Sequence, residues 1–372
     1  MKIAVSGDLF SPSAGRLTFS QELLDLWATC DSSFVNLEGP IESAGAPVRK
    51  TGPNIFQDPL VVERIASAGL SVTLANNHIM DFGIDGLSTT LAALDARGIK
   101  RTGAYTSREE RVDLELEDSD GDAVVIVNRC EAEWVQDASG AGAPVLDLVE
   151  LCRTVKQHKS RGLLPILVLH GGQEMWDLPS PKRRDQARFL AEEGAAAIVY
   201  HHTHVPSAWE VWDGVPISYG LGNFSFSMEN SDIRFSQGLT AILVVESGRV
   251  SMELVPTAFD ASSGLVSVMP SDQAGYLERK LMALRSIVES DASLEAHWNQ
   301  FTRSQAFAAG KLAMPLGYSS GRVGWGVMSR AMAPVLRRLP NELDPLLNAV
   351  RCDSHREVLT TVLEARRKVP QE

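Results

Sequence analysis

Six short apolar runs rich in Val and Ile constrain the fold most: Ile3–Val5, Ser33–Leu37, Leu70–Ala75, Ala123–Val127, Leu163–Leu169 and Ala195–Tyr200. They alternate with amphipathic stretches at Gln21–Thr29, Pro59–Ala68, Ile84–Ala96, Val145–His158 and Arg183–Glu193. Strand-length apolar runs alternating with helical periodicity predict a layered α/β fold. From Ser207 to Val255 the strands become closely spaced, with Asp213-Gly214 and Ser247-Gly248 as turn signals, so this part is predicted to be antiparallel. After Pro270 the pattern turns helical over Ala274–Ser290 and Leu294–Ala309, then around Met328–Arg338 and Glu342–Arg367. A boundary is therefore expected near residue 270, dividing the chain into a domain at 1–270 and a helical region at 271–372.

At 372 residues there is chain enough for a sizeable core, and the 44% hydrophobic and 22% charged shares are those of an ordinary folded protein. The formal net charge of -12 argues against a protein that binds by neutralising nucleic-acid phosphates. The charge is unevenly spread, with +3 on residues 272–372 and -15 on residues 1–271. Cys30, Cys130, Cys152 and Cys352 show no paired spacing and are expected to be reduced. The opening MKIAVSGDLF enters a strand directly, and no apolar stretch of about twenty residues follows, so a cytoplasmic protein without a membrane span is expected.

The ends of the apolar runs carry the chemistry. Asp8 ends IAVSGD, Glu38 ends FVNLE, and Asn76-Asn77-His78 follows LSVTLA. His170 closes LLPILVLH, and His201-His202-Thr203-His204 follows Ala195–Tyr200. Five of the eight histidines thus fall at strand ends, and the carboxyl edge of an α/β sheet is where ligands bind. Carboxylate, amide and imidazole donors without thiolate suit one or two divalent ions such as Mn, Fe or Zn. Two such ions would activate water and polarise an electrophile, which makes hydrolysis the natural chemistry.

The ordered series Gly7-Asp8, Asn36-Leu37-Glu38, Ala75-Asn76-Asn77-His78 with Asp81-Phe82-Gly83, His170-Gly171-Gly172 with Glu174, His201-His202-Thr203-His204-Val205 and Tyr219-Gly220-Leu221-Gly222-Asn223-Phe224 resembles the bacterial capsule synthesis family of poly-γ-glutamate proteins. That family is related to the calcineurin-like metallophosphoesterases, and the resemblance covers roughly residues 1–257. It implies a four-layer α/β/β/α metallophosphoesterase-like sandwich with a C-terminal helical appendage. It further implies that Glu38 is the bridging carboxylate, that Asn77, His170 and His202 complete one metal site, and that Asp8 and His204 hold the other. His78 would match the general acid or transition-state stabiliser. The wider superfamily's Asp-x-His pattern would put an imidazole at position 10, where this chain has Phe10.

Arg49, Lys50 and Arg183 are candidates to clamp an anionic substrate group, and Asn223 is a candidate hydrogen-bond partner of a ligand histidine. The resulting reading is a metal-dependent hydrolase acting on an anionic substrate of phosphorylated or γ-glutamyl type, as a small molecule or a polymer. The alternatives are a ligase or acyl-transfer enzyme acting on a γ-carboxylate, or a non-catalytic component of a poly-γ-glutamate synthesis system. The apolar spacing of Leu277, Leu281, Leu284 and Ile287 is expected to pack on the main domain or on another subunit, and Arg322 is a candidate lid residue.

Overall fold

The alternation of apolar and amphipathic segments is realised as two sheets packed face to face. The computed structural model describes residues 1–107, 110, 113–119, 121–228, 230–313 and 347–367. The strands of the first sheet are β1 (Lys2–Phe10), β2 (Thr18–Phe19), β3 (Ser32–Leu37), β4 (Ser71–Thr73) and β5 (Arg101–Thr102). The second sheet takes β6 (Leu114–Glu117), β7 (Ala123–Cys130), β8 (Leu164–His170), β9 (Ala197–His201), β10 (Trp209–Trp212) and β11 (Val215–Ser218). The chain then returns to the first sheet through β12 (Asn223–Phe226), β13 (Gln237–Glu246), β14 (Arg249–Asp260) and β15 (Leu265–Val268). Strand order in the first sheet is β2-β15-β14-β13-β1-β3-β4-β5, with β12 also pairing with β1. In the second it is β10-β11-β9-β8-β7-β6.

Helices α1 (Gln21–Ala28), α2 (Leu60–Ser67) and α3 (Gly83–Asp95) cover the outer face of the first sheet, and α4 (Leu148–Ser160) and α5 (Pro181–Glu192) that of the second. Side chains from β1 show the layering. Ile3 and Val5 join the core shared with β7, β8 and β9, whereas Ala4 packs with Leu23 of α1, Ile65 of α2 and Leu87 of α3. The pairing of β1 with β3 shifts register between Ser6 and Asp8, and past this irregularity Leu9 joins Ala4 on the helix side. The runs Val124–Val127 and Ile166–Leu169 are buried along their whole length, as strands covered on both faces must be. Each such aliphatic side chain is worth roughly 1.5–3 kcal/mol on full burial, so the inter-sheet core is the main source of cohesion. The expected α/β/β/α sandwich is therefore present.

The first compact unit continues past the expected boundary near residue 270 and comprises Met1–Val48 and Asn54–Leu294. The reason lies in α6 (Ser271–Val288), whose Leu277, Leu281, Leu284 and Val288 are buried in the same core as the second sheet. The stripe expected from its spacing packs on the main domain, with Ile287 half-buried beside it. Its last carbonyl, on Val288, accepts from Arg184 Nη1 at 3.2 Å and Arg188 Nη2 at 3.3 Å, which supplies cations to a helix C-terminus.

The second unit comprises Arg49–Pro53 and Glu295–Glu372. Within it, Trp298 of α7 (Asp291–Ala313) donates from Nε1 to Thr361 Oγ1 of α8 (Asp353–Arg367) at 3.3 Å. The expected helix around Met328–Arg338 and Arg322 itself lie outside the described residues. Among the described residues no helix is long and apolar enough to cross a membrane.

Candidate metal centre

The carboxyl ends of β1, β3, β4, β8 and β9 converge between the two sheets, and each delivers a polar side chain. Parallel pairing sets Asp8 of β1 beside Asn36 of β3, and His170 of β8 beside His201 of β9. Gly7 makes the first of these placements possible. A Cβ there would stand 2.1 Å from the Gly222 carbonyl oxygen, which accepts the Asp8 amide at 3.0 Å. Any side chain at position 7 would push β1 away from the segment that carries Asn223.

Asp8 is fully buried. Its Oδ1 accepts from Asn36 Nδ2 at 2.7 Å and lies 3.0 Å from His201 Nδ1, while Oδ2 accepts the His202 amide at 3.1 Å. Burial by itself would raise this carboxyl. The contact with His201 and the neighbouring imidazoles outweighs it and holds Asp8 below the ordinary carboxylate range. Burial, and then His202, push His170 well below the usual imidazole range, which favours the neutral form that binds metals.

Glu38 is also fully buried, with His204 Nε2 at 3.8 Å and His78 Nε2 at 3.9 Å from its Oε1. Its backbone is fixed by Gln57, whose Nε2 donates to the carbonyls of Glu38 at 2.6 Å and Leu9 at 2.9 Å. Asn76 ties the end of β3 to the next loop, donating to Leu37 O at 2.8 Å and accepting from the amides of Gly39 and His78 at 3.2 Å each.

The three remaining donors meet on a single nitrogen. His170 Nε2 lies 3.0 Å from Asn77 Oδ1 and 3.1 Å from His202 Nδ1. One imidazole nitrogen carries at most one proton, so His170 Nε2 cannot donate a separate hydrogen bond to each of them. Two donors to one ion, at bond lengths near 2.0–2.2 Å, stand about 3 Å apart. Asp8, Glu38 and His170 also present ligand atoms that all lie within 4.8 Å of one another. Two desolvated carboxylates, imidazole nitrogens and an amide oxygen fit a divalent cation by charge and by donor chemistry.

The groups behind these donors set their orientation. Asn223 donates through Nδ2 to Phe235 O at 2.8 Å, which turns its Oδ1 toward His204 Nδ1 at 2.9 Å. His204 therefore carries its proton on Nδ1 and directs the Nε2 lone pair toward Glu38. The His78 Nδ1 proton is held by Asp81 Oδ2 at 2.7 Å, and the same oxygen accepts the Ile55 amide at 2.7 Å. His202 and His204 sit at φ of 86° and 55°, left-handed conformations that cost energy outside glycine and that cluster at functional sites.

Asp8, Glu38, Asn77, His78, His170, His202, His204 and Asn223 are thus brought together. The clamp candidates differ. Arg183 is buried, its Nη2 paired with Glu131 Oε1, which also accepts the Gly172 amide at 3.2 Å. It braces the loop after His170 from beneath. Its neighbour Arg184 engages the end of α6, so these two arginines face protein rather than solvent, while Lys182 before them is exposed. Arg49 and Lys50 belong to the segment Arg49–Pro53, which groups with the second unit. Phe10 packs on Phe226 with ring centroids 5.1 Å apart and offers no nitrogen to Asp8.

Reasoning from sequence assigned no role to Asn36, Gln57, Asp81, Glu131 or His201. Asn36, Asp81 and His201 stand inside the recognised motifs, and that proximity was a usable signal. Gln57 and Glu131 carry none, because only the fold brings them to the site.

The sequence profile described as "Bacterial capsule synthesis protein PGA_cap" matches residues 10–228. The PGA biosynthesis protein CapA of Bacillus subtilis (strain 168) is 28% identical over 156 residues, covering 41% of this chain and 41% of that protein. A probable polyglutamine synthesis accessory protein of Mycobacterium tuberculosis is 29% identical over 235 residues, covering 59% of this chain and 62% of that protein. The chain thus aligns with 41% to 62% of the length of these two curated relatives. The crystal structure of 5′-nucleotidase from Candida albicans aligns with a TM-score of 0.41 at 11% identity, over 78% of this chain and 59% of that one.

Proposed function

Because the chain belongs to the bacterial capsule synthesis protein family, and because its strand ends gather a buried carboxylate and imidazole cluster, we propose that it is a metal-dependent hydrolase. The substrate class is anionic, phosphorylated or γ-glutamyl in type. The observation that carries the reading is the convergence of Asn77 Oδ1, His170 Nε2 and His202 Nδ1 within 3.1 Å contacts, beside the two buried carboxylates of Asp8 and Glu38.

In this reading Glu38, Asn77, His170 and His202 hold one divalent ion, and Asp8, Glu38 and His204 hold a second. Ions bound there would supply Lewis-acid polarisation of a substrate oxygen and lower the pKa of water. His78 acts on the proton. With Nδ1–H held by Asp81, its Nε2 is the nitrogen turned toward the centre, where it gives a proton to a leaving group or stabilises developing charge. Asp81 holds the Nδ1 proton and stabilises the doubly protonated ring that this role needs, so that the proton given away leaves from Nε2. Arg183 contributes through Glu131 and the Gly171-Gly172 loop, and Arg49 and Lys50 remain proposed contacts for a substrate anion.

A second reading draws on the description of the M. tuberculosis relative as an accessory protein: a non-catalytic component of a polymer-synthesis system. One experiment separates the two. Protein reconstituted with Mn, Fe or Zn is assayed against phosphomonoesters, phosphodiesters and γ-glutamyl amides, with His202→Ala as control. Metal-dependent turnover that His202→Ala abolishes supports the hydrolase, and no turnover on any of them at full metal occupancy supports the accessory role.

A further inference from the structure

We infer that His201, which belongs to neither ligand set proposed above, is the positioning residue that aims Asp8 at the second metal, an inference that rests on the metal-dependent reading of this site. His201 is the last residue of β9, only 1% exposed, and stacks on His170 with centroids 6.5 Å apart and planes 18° from parallel. Among the described residues Asp8 is the one polar group its ring approaches, with Nδ1 3.0 Å from Oδ1. Neither ring nitrogen makes an aligned hydrogen bond, although both are buried. A small rotation of the Asp8 carboxylate would align that contact.

The two oxygens of Asp8 have different neighbours. Oδ1 is approached by two donors, Asn36 Nδ2 at 2.7 Å and His201 Nδ1 at 3.0 Å. Oδ2 accepts one, the His202 amide, and faces His204 at 3.6 Å. Once the His201 contact is aligned, Oδ1 has both lone pairs engaged, which leaves the remaining lone pair of Oδ2 as the one open to a cation. Without His201, Oδ1 would keep Asn36 alone and the carboxylate could turn. The second site can least tolerate that freedom. Phe10 supplies no imidazole, so Asp8 is a larger share of its ligand set than it would be in a site with another histidine. Groups that orient a ligand in this way are worth about 10–100-fold in metal affinity.

The test is calorimetric titration of Mn²⁺ into metal-stripped full-length protein, with Co²⁺ absorption spectra recorded in parallel. His201→Phe fills the space without a donor. His201→Asn places an amide nitrogen near the position of Nδ1, and His201→Gln, equally polar, places it one bond too far. The wild type is expected to bind two ions. His201→Phe and His201→Gln should keep the tighter ion and lose about 10–100-fold at the weaker site, with the Co²⁺ bands of the second equivalent changed. His201→Asn should stay within a few-fold of wild type in both readouts. A merely structural histidine would show no such split between Asn and Gln. The inference is overturned if Phe and Gln titrate like wild type, if Asn is as weak as Gln, or if a folded variant loses both ions. Should His201→Phe fail to fold, the comparison of Asn with Gln decides alone. A wild type that binds no ion, or only one, removes the two-metal reading and this inference with it; two ions bound at wild-type affinity in every variant removes this inference only.

Discussion

Replacing His78 with asparagine separates proton chemistry from metal binding, because His78 touches the centre from outside the proposed ligand sets. Its Nδ1 holds a 2.7 Å hydrogen bond to Asp81, and its Nε2 stands 3.9 Å from Glu38 Oε1. The shorter asparagine side chain would place no group where Nε2 stands. Asp81 would not be stranded, since the Ile55 amide still donates to it at 2.7 Å. The structural cost is therefore one hydrogen bond to a charged group, about 1.5–3 kcal/mol, which a folded domain of this size can absorb. Loss of a positioned proton donor typically lowers turnover by about 100-fold to 10,000-fold, or roughly 2.7–5.4 kcal/mol in barrier height. The assay is kcat and KM on a phosphodiester or γ-glutamyl amide that the wild type turns over, with metal content measured on the same samples. The prediction is a fall in kcat at unchanged metal content. If His78→Asn strips an ion, or leaves kcat within a few-fold of wild type, the assignment of His78 to proton transfer is refuted.

Other outcomes follow from particular contacts. Leu281→Ala should lower the urea midpoint by an amount equivalent to about 2–5 kcal/mol, because Leu281 is buried against the second sheet. A chain ended at residue 270 exposes that core face and should aggregate, whereas one ended at residue 294 should stay dispersed and keep its metal; sedimentation and metal analysis of each distinguish the two. Asp113 is held below the ordinary carboxylate range because the charge of Arg129 outweighs its burial, so the pair contributes stability above about pH 4 that is lost as pH falls through the folded-state pKa. Asp113→Asn should therefore destabilise the fold at pH 7, and the difference from wild type should shrink on acidification toward pH 3, as urea melts at the two pH values would record.

The site was legible where chemistry and secondary structure share one stretch of chain. Asp8, Glu38, Asn77, His170 and His202 each sit at or just past the end of an apolar run, so strand periodicity predicts both the element and where its apolar run ends. What periodicity cannot convey is which element lies next to which. Arg183 and Arg184 read as a basic surface at a helix start, yet Glu131 and the end of α6 reach them from 52 and 104 residues away. The boundary near residue 270 marked a real change from strands to helices, but α6 belongs to the first unit because its apolar stripe completes the core of the second sheet. Gln57 lies in a stretch without regular structure, and only its bonds to Glu38, Leu9 and Ser11 reveal its support of the centre.

The most direct measurement of the central claim is anomalous scattering from crystals of the full chain grown with Mn²⁺. Mn²⁺ ions are predicted within about 2.3 Å of donor atoms from Glu38, Asn77, His170 and His202, and of donor atoms from Asp8, Glu38 and His204. An anomalous map with no peak between these side chains, or with manganese bound only at surface carboxylates, would contradict the account.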